Sequence, residues 1–414
     1  MHMPKIAFMF PGVGSQYVGM GKDFYDRFPL FRRTFEEAGA VSGRDLAALC
    51  FETGPAELAR LENAQLAILT VSVGVFRVFL QEIGVPPDFC LGHSLGEYSA
   101  LCCAGVIAFA DALEIVRERG AIIGEAASFS GGTMMWVINL EQEKVVEICK
   151  EVSHSGDAVF VSAFDSPSQT SISGRGQAVM TAARKMEEAG AIVYPLKMSG
   201  PFHSPLMAEA GRKMKSVLEQ YAYGAPVYPV IANRHARAYG DRQSVIDNLS
   251  GQLVSPIRWR DSLDYLWSEG VGTTVEMGPK NVLTFLIKKN SEVITPFKTD
   301  TAADLMALKG KFLLEEKEYI QVIGRCLGIA AGTRNRNRHA DDYERRVIAP
   351  YRKVAGLYEE LKTAGRSPTM AQVEEALDIL RSILTAKGVP ESQQKSGFDR
   401  ILDSRMLRPP LPGE

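Results

Sequence analysis

Phe89-Cys90-Leu91-Gly92-His93-Ser94-Leu95-Gly96-Glu97-Tyr98-Ser99-Ala100-Leu101 is the stretch on which the fold turns. Phe89 to Gly92 read as a short buried strand, the chain reverses within GHSLG, and a helix starts at once. A serine in this GxSxG setting has its hydroxyl thrust clear of the backbone, while the flanking glycines admit a crowded approach of strand and helix. The helix N-terminus beneath it favours negative charge. A chance GxSxG in a glycine-rich loop lacks the strand before and the helix after, and this sequence predicts both.

Working outward, Ile6 to Phe10 form a second short apolar run that ends at the turn PGVGSQ, which reads as a buried parallel strand. Residues Ala64 to Leu80 are apolar on nearly every face, as expected of a helix buried under a sheet. From about Gly131 to Met198 the units shorten: MMWVINL, AVFVSAF, QTSISG and AIVYPLKM read as strands, and EQEKVVEICKEV and GQAVMTAARKMEEAG as helices. That β-α-β-β-α-β order is the split ferredoxin-like unit, taken as a small inserted domain. PVYPVIAN then reads as a strand, Leu263 to Trp267 as helix, TTVEMGP as a strand and NVLTFLIKK as a helix. From Thr301 onward strands are expected to stop. Met370, Val373, Leu377, Leu380 and Leu384 mark one amphipathic helix among several, and the tail RPPLPGE is expected to fray.

The predicted class is therefore α/β: a large domain of residues 1–130 and 199–300, a ferredoxin-like insert of 131–198, and an all-helical extension of 301–414. Composition agrees with a globular chain: of 414 residues, 46% are hydrophobic and 23% charged. A net charge of −2 argues against a generic nucleic-acid binder. None of the six cysteines forms a CxxC pair, so they read as reduced core thiols. The N-terminus lacks the pattern of a secretory signal, and no apolar run is expected to reach the ~18 residues of a membrane helix. A cytoplasmic protein without a membrane partner is expected.

A nucleophilic serine needs a base, and histidine is the usual one. The chain has six: His2, His93, His154, His203, His235 and His339. His93 adjoins Ser94 and on a tight elbow points away from it. His2 lies at the terminus, His154 in a polar turn of the insert and His339 in the extension. His203, in GPFHSPLM, sits in a proline-flanked loop where the chain returns from the insert, which favours it over His235 without removing the latter. An oxyanion needs two backbone N–H donors: Leu95 supplies one and the PGVGSQ turn is a source for the second. Arg117 and Arg119 lie on the following helix, and a buried guanidinium holds a carboxylate bidentately. The alternative for either is a solvated helical face. No metal-ligand pattern stands out.

At this point FPGVGSQ, GHSLGEYSAL, Arg119-Gly120, FHSPLM, QLVSP and EMGPKNVL, in that order, resemble the malonyl-CoA:acyl carrier protein transacylases, a family that includes the acyltransferases of polyketide synthases. The resemblance spans residues 4 to 295. It implies an α/β-hydrolase-like large domain carrying a ferredoxin-like insert, Ser94 as the acylated nucleophile and His203 as its base. It further implies Arg119 as the partner of the malonyl carboxylate and Gln252 as the residue whose backbone carbonyl orients the histidine. Gln65 and Asn233 also match. The second oxyanion donor falls on Val13, where most members have glutamine. Ala163-Phe164-Asp165-Ser166-Pro167-Ser168-Gln169 replaces the common NxNSPGQ. Phe202 before the histidine and Leu95 after the serine go with malonyl in related acyltransferases.

The implied activity moves a malonyl group from its coenzyme A thioester, a substrate, to an acyl carrier protein in polyketide or fatty-acid biosynthesis, with no bound cofactor. One alternative is an editing acyl hydrolase, against which Arg119 argues because such enzymes lack it. The other is a docking protein acting through the extension, where 19 Lys and Arg face 16 Asp and Glu and cluster around Arg334, Arg336, Arg338, Arg345 and Arg346.

Overall fold

A computed structural model describes residues 5–153, 157–196, 200–314, 318–337 and 340–402. His2, His154, His339, Arg338 and the RPPLPGE tail lie outside the described residues. The chain divides into two compact units, one of residues 5–80 and 86–305, the other of 81–85 and 306–402 among those described.

In the first unit nine strands form two sheets. β1 (Lys5–Phe10), β2 (Phe89–Gly92), β7 (Val230–Ile231), β8 (Val271–Glu276) and β9 (Thr295–Lys298) build a five-stranded sheet in the order β7-β2-β1-β8-β9. Every pairing in it is parallel. β1 and β2 are continuous apolar runs because helices cover them, as buried parallel strands require. Phe8 packs edge-on against Phe79, centroids 4.9 Å apart, from the helix Leu61–Glu82.

That helix is long and apolar enough to cross a membrane by length and composition, contrary to the expectation from sequence. Its apolar residues serve instead as core: 89% of its most apolar eighteen-residue window is buried inside the protein.

β3 (Gly132–Ile138), β4 (Val159–Ser166), β5 (Gln169–Arg175) and β6 (Ile192–Pro195) form an antiparallel sheet in the order β4-β5-β3-β6. The helices Gln142–Val152 and Gly176–Glu188 close one face of it over Met135, Val137, Ile172 and Val159. Two backbone bonds stitch this sheet to the rest of the unit: Phe164 N to Ile257 O and Ile257 N to Ser162 O, both 2.9 Å.

Two strands differ from expectation. PVYPVIAN contributes only Val230 and Ile231, because Pro226 and Pro229 have no N–H to give a ladder; the Pro229 carbonyl still accepts from Cys90 N at 2.8 Å. β9 was not expected at all. It carries Pro296 and Lys298, a composition tolerated because β9 is the outer strand of its sheet.

The second unit is helical among the described residues, from Tyr319–Gly332 through Ala349–Ala364 and Met370–Ala386 to Glu391–Leu402. Val373, Leu377, Leu380 and Leu384 are buried in its core, as their spacing predicts. Thr369 caps their helix with a full capping box. The expected boundary at 300/301 falls slightly early: Ala302 and Leu305 are fully buried, and the contact boundary lies after Leu305.

The crossing of the first strand over the serine turn leaves no room for a side chain. A Cβ at Gly96 would lie 1.9 Å from the Phe10 carbonyl oxygen, whereas one at Gly54 would meet nothing within 4 Å. Gly96→Ala is expected to lower unfolding stability by more than about 3 kcal/mol and Gly54→Ala to change it by less than about 0.5 kcal/mol. Urea denaturation of the two variants checks this.

Candidate functional site

Ser94 sits at φ 53, the left-handed region that non-glycine residues rarely enter. The turn is imposed from both sides. A Cβ at Gly92 would fall 1.9 Å from the Gly96 carbonyl carbon, and one at Gly12 would fall 2.5 Å from the His93 oxygen. Asn233 fixes what the glycines permit: its Oδ1 accepts from Ser94 N at 2.8 Å and its Nδ2 donates to Gly92 O at 2.6 Å.

The turn brings Ser94 Oγ to 2.9 Å from His203 Nε2. His203 is itself at φ 58, so strain of about 1–3 kcal/mol is stored at each of the two residues. Its Nδ1 donates to the Gln252 main-chain oxygen at 2.9 Å, which leaves Nε2 as the acceptor facing the serine. Burial, with smaller contributions from Arg119 and His93, pushes the His203 pKa down to about 3, opposed by the Gln252 bond. The ring is thus a neutral base throughout the physiological range.

His235 is exposed, and His93 turns away as expected: its Nε2 lies 3.0 Å from Asp165 Oδ1. Asp165 occupies one of the departures from the family pattern, and Ser171 Oγ donates to its other oxygen at 3.0 Å. The elbow is thereby tied to β4 of the second sheet.

Arg119 is 2% exposed, and Arg117 points outward to Glu118. Arg119 reaches three acceptors: Gln65 Oε1 at 2.7 Å, Gln252 Oε1 at 3.0 Å and Ser94 Oγ at 3.3 Å. Its Nε has no hydrogen-bond partner, and the Tyr98 ring lies 5.3 Å below the guanidinium. A buried cation held by amide oxygens, with one donor unused, can take a carboxylate beside the serine.

Among the described residues, no protein acceptor meets the Leu95 or the Val13 N–H. Phe202 is buried next to His203, with its carbonyl held by Ser173 Oγ at 2.7 Å.

The site also contains residues that the sequence reading did not single out. Glu97 is fully buried and joined to Tyr239 and Gln252. One signal was available: Glu97 is the lone Asp, Glu, Lys or Arg between Asp88 and Asp111.

With this geometry in hand, the comparisons are specific. The acyl transferase domain family matches residues 7–325, and the chain belongs to that family. A malonyl CoA-acyl carrier protein transacylase of Bacillus subtilis is 36% identical over 397 residues, 95% of this chain and 99% of the relative. One of Escherichia coli (strain K12) is 40% identical over 295 residues, 71% of this chain and 95% of the relative. The fold matches the crystal structure of malonyl-CoA:acyl carrier protein transacylase from Xanthomonas oryzae with a TM-score of 0.73 at 34% identity, covering 75% of this chain and 99% of that one. It also matches a chain in a structure of a type II PKS acyl-carrier protein in complex with its malonyl-transacylase, with a TM-score of 0.72 at 37% identity, over 74% of this chain and 99% of that one. The Bacillus subtilis relative thus aligns with 397 residues of this chain where the Escherichia coli one aligns with 295, and the family model extends to residue 325.

A depressed His203 pKa has a kinetic consequence. Protonation removes the base only below the lowered pKa, so the rate of Ser94 labelling by a fluorophosphonate should show no limb at the ordinary histidine value of about 6.5. A stopped-flow pH series from about 4 to about 8, the range in which an ordinary histidine titrates, measures it, and a limb near about 6.5 would mean that His203 is solvated.

Proposed function

We propose that the chain transfers a malonyl group from malonyl-CoA to the phosphopantetheine thiol of an acyl carrier protein through a Ser94 acyl-enzyme. The observation that carries this reading is a buried arginine, Arg119, 3.3 Å from the same hydroxyl that lies 2.9 Å from His203. Family membership and the names of the relatives support the same reaction.

His203 Nε2 takes the Ser94 proton as Oγ attacks the thioester carbonyl carbon. Leu95 and Val13 N–H groups hold the oxyanion that forms. As the tetrahedral intermediate collapses, the C–S bond breaks and the coenzyme A sulfur leaves with the proton from His203. In the second half His203 deprotonates the carrier's thiol, whose sulfur attacks the malonyl ester and releases Ser94 Oγ, which recovers the proton. Arg119 receives the malonyl carboxylate, exchanging an amide acceptor for a charged one. Phe202 walls the site beside the base, consistent with a small acyl group. The scheme uses only these groups, with coenzyme A as part of the substrate.

We read residues 1–130 and 199–305 as an α/β-hydrolase-like domain, 131–198 as a ferredoxin-like insert and the helices from residue 306 onward as an extension. The β-α-β-β-α-β order and the arrangement β4-β5-β3-β6 support the insert. Six free cysteines fit a reducing, cytoplasmic setting.

Intact-mass detection of the malonyl-enzyme after mixing with malonyl-CoA tests the reaction, and persistence of the adduct in Ser94→Ala would overturn the nucleophile. Arg119→Ala is expected to reduce kcat/KM for malonyl-CoA about 10²–10³-fold while leaving acetyl-CoA within a few-fold, the cost of a charged bidentate contact. Equal losses on both thioesters would sink the carboxylate role.

A further inference from the structure

Arg119 is a buried cation with no carboxylate in contact among the described residues, an arrangement that is costly unless a counter-charge lies close by. The nearest route to one runs through the Gln252 side chain. Gln252 Oε1 accepts from Arg119 at 3.0 Å, and Gln252 Nε2 donates to Glu97 Oε2 at 2.5 Å. The amide therefore stands between a buried positive and a buried negative group, its oxygen towards the cation and its nitrogen towards the anion.

We propose that Glu97 is a positioning residue: its carboxylate is the counter-charge of Arg119, transmitted through the Gln252 amide, and it fixes that amide so that the base stays in place when substrate binds. Glu97 suits the role because each group bonded to it is a donor. Asn233 N donates to Oε1 at 2.8 Å, Tyr239 OH to Oε1 at 2.6 Å and Gln252 to Oε2, so three hydrogen bonds hold the anionic form. The N-terminus of the helix Gly96–Cys103 adds a further favourable field, with Glu97 in its first turn. Burial works in the opposite direction, raising its pKa to about 7 against those three bonds and the field of Arg119.

The same carboxylate reaches both halves of the dyad. Gln252 Nε2 also donates to Ser94 O at 2.9 Å, and the Gln252 main chain holds His203. Asn233, whose N–H is held by Glu97, fixes the strained Ser94. When a substrate carboxylate replaces Gln252 Oε1 on Arg119, the Glu97 bond keeps the other end of the amide tethered. This step rests on the malonyl reading above; the pairing of Glu97 with Arg119 in the free enzyme does not.

A double-mutant cycle on the full chain with Glu97→Gln and Arg119→Gln, followed by thermal unfolding at about pH 8.5, above the raised Glu97 pKa so that the carboxylate is charged, tests the pairing. Glu97→Gln alone should lower Tm by on the order of 5–10 °C, the cost of leaving a buried charge uncompensated. Adding Arg119→Gln should restore at least half of the loss. Glu276→Gln removes a second buried carboxylate, bonded to Leu283 N and Thr284 N, and Arg119→Gln should not rescue it. Additive losses for Glu97 and Arg119, or rescue of Glu276→Gln as well, would overturn the proposal. If Glu97→Gln does not fold, the double variant should; failure of both would also overturn it.

A second readout follows from linkage. Malonylation supplies a carboxylate to Arg119, so it should raise the Tm of Glu97→Gln by more than that of the wild type; an equal or smaller rise would overturn the proposal. A wild-type chain that takes no malonyl group would refute the proposed reaction and leave the substrate-free cycle to judge Glu97.

Discussion

Ser94 is held at positive φ by two backbones that approach more closely than any side chain would allow, Phe10 to Gly96 on one side and Gly92 to Gly96 on the other. The first strand must lie directly against the second for the turn to close, and the parallel register Phe10 to Gly92 sets that alignment. The order of the sheet, the burial of the helix beneath it and the exposure of one hydroxyl are thus parts of one steric constraint. Its strain persists because Asn233 bonds the serine N–H and the Gly92 carbonyl together.

Polar groups then extend that constraint across the chain. Gln252, far from Ser94 in sequence, uses its carbonyl to set the tautomer of His203 and its amide to reach Arg119, Glu97 and Ser94 O. An acid in place of the carbonyl would draw His203 towards the charged form. A neutral acceptor raises it only weakly, so burial, helped by Arg119 and His93, prevails and the ring remains a base with a low proton affinity. Such a base is suited to exchange between an alcohol and a thiol, in which the proton must be returned in each half-reaction.

Legibility in the sequence followed how directly each function is tied to a side-chain type. The elbow was readable because its geometry demands glycine at two fixed offsets from a serine. His203 was readable because six histidines leave few choices, and Arg119 because family resemblance separated it from Arg117, a distinction the structure explains by burial. Gln252 was invisible to residue chemistry: its hold on the base is a backbone carbonyl, which any residue has. Glu97 stood within a quoted motif and still escaped notice, because its partners Asn233, Tyr239 and Gln252 come together only through the fold. β9 escaped for the opposite reason, since Pro296 and Lys298 contradict strand propensity and are tolerated only at a sheet edge.

The departures at positions 163 to 169 show how a site absorbs a change of charge. A carboxylate at Asp165 in a buried position requires donors, and the elbow's own His93 and Ser171 supply them at 3.0 Å each. The bond to His93 also turns that ring away from Ser94, so the histidine beside the nucleophile is committed to the second sheet and His203 faces the serine alone. The pair joins β4 to the residue preceding the nucleophile, while the bonds from Ser162 and Phe164 to Ile257 fix the same strand to the core. Charge introduced on the small sheet is therefore consumed locally. Arg119 keeps its bonds to Gln65 and Gln252 and its unused Nε despite the altered motif.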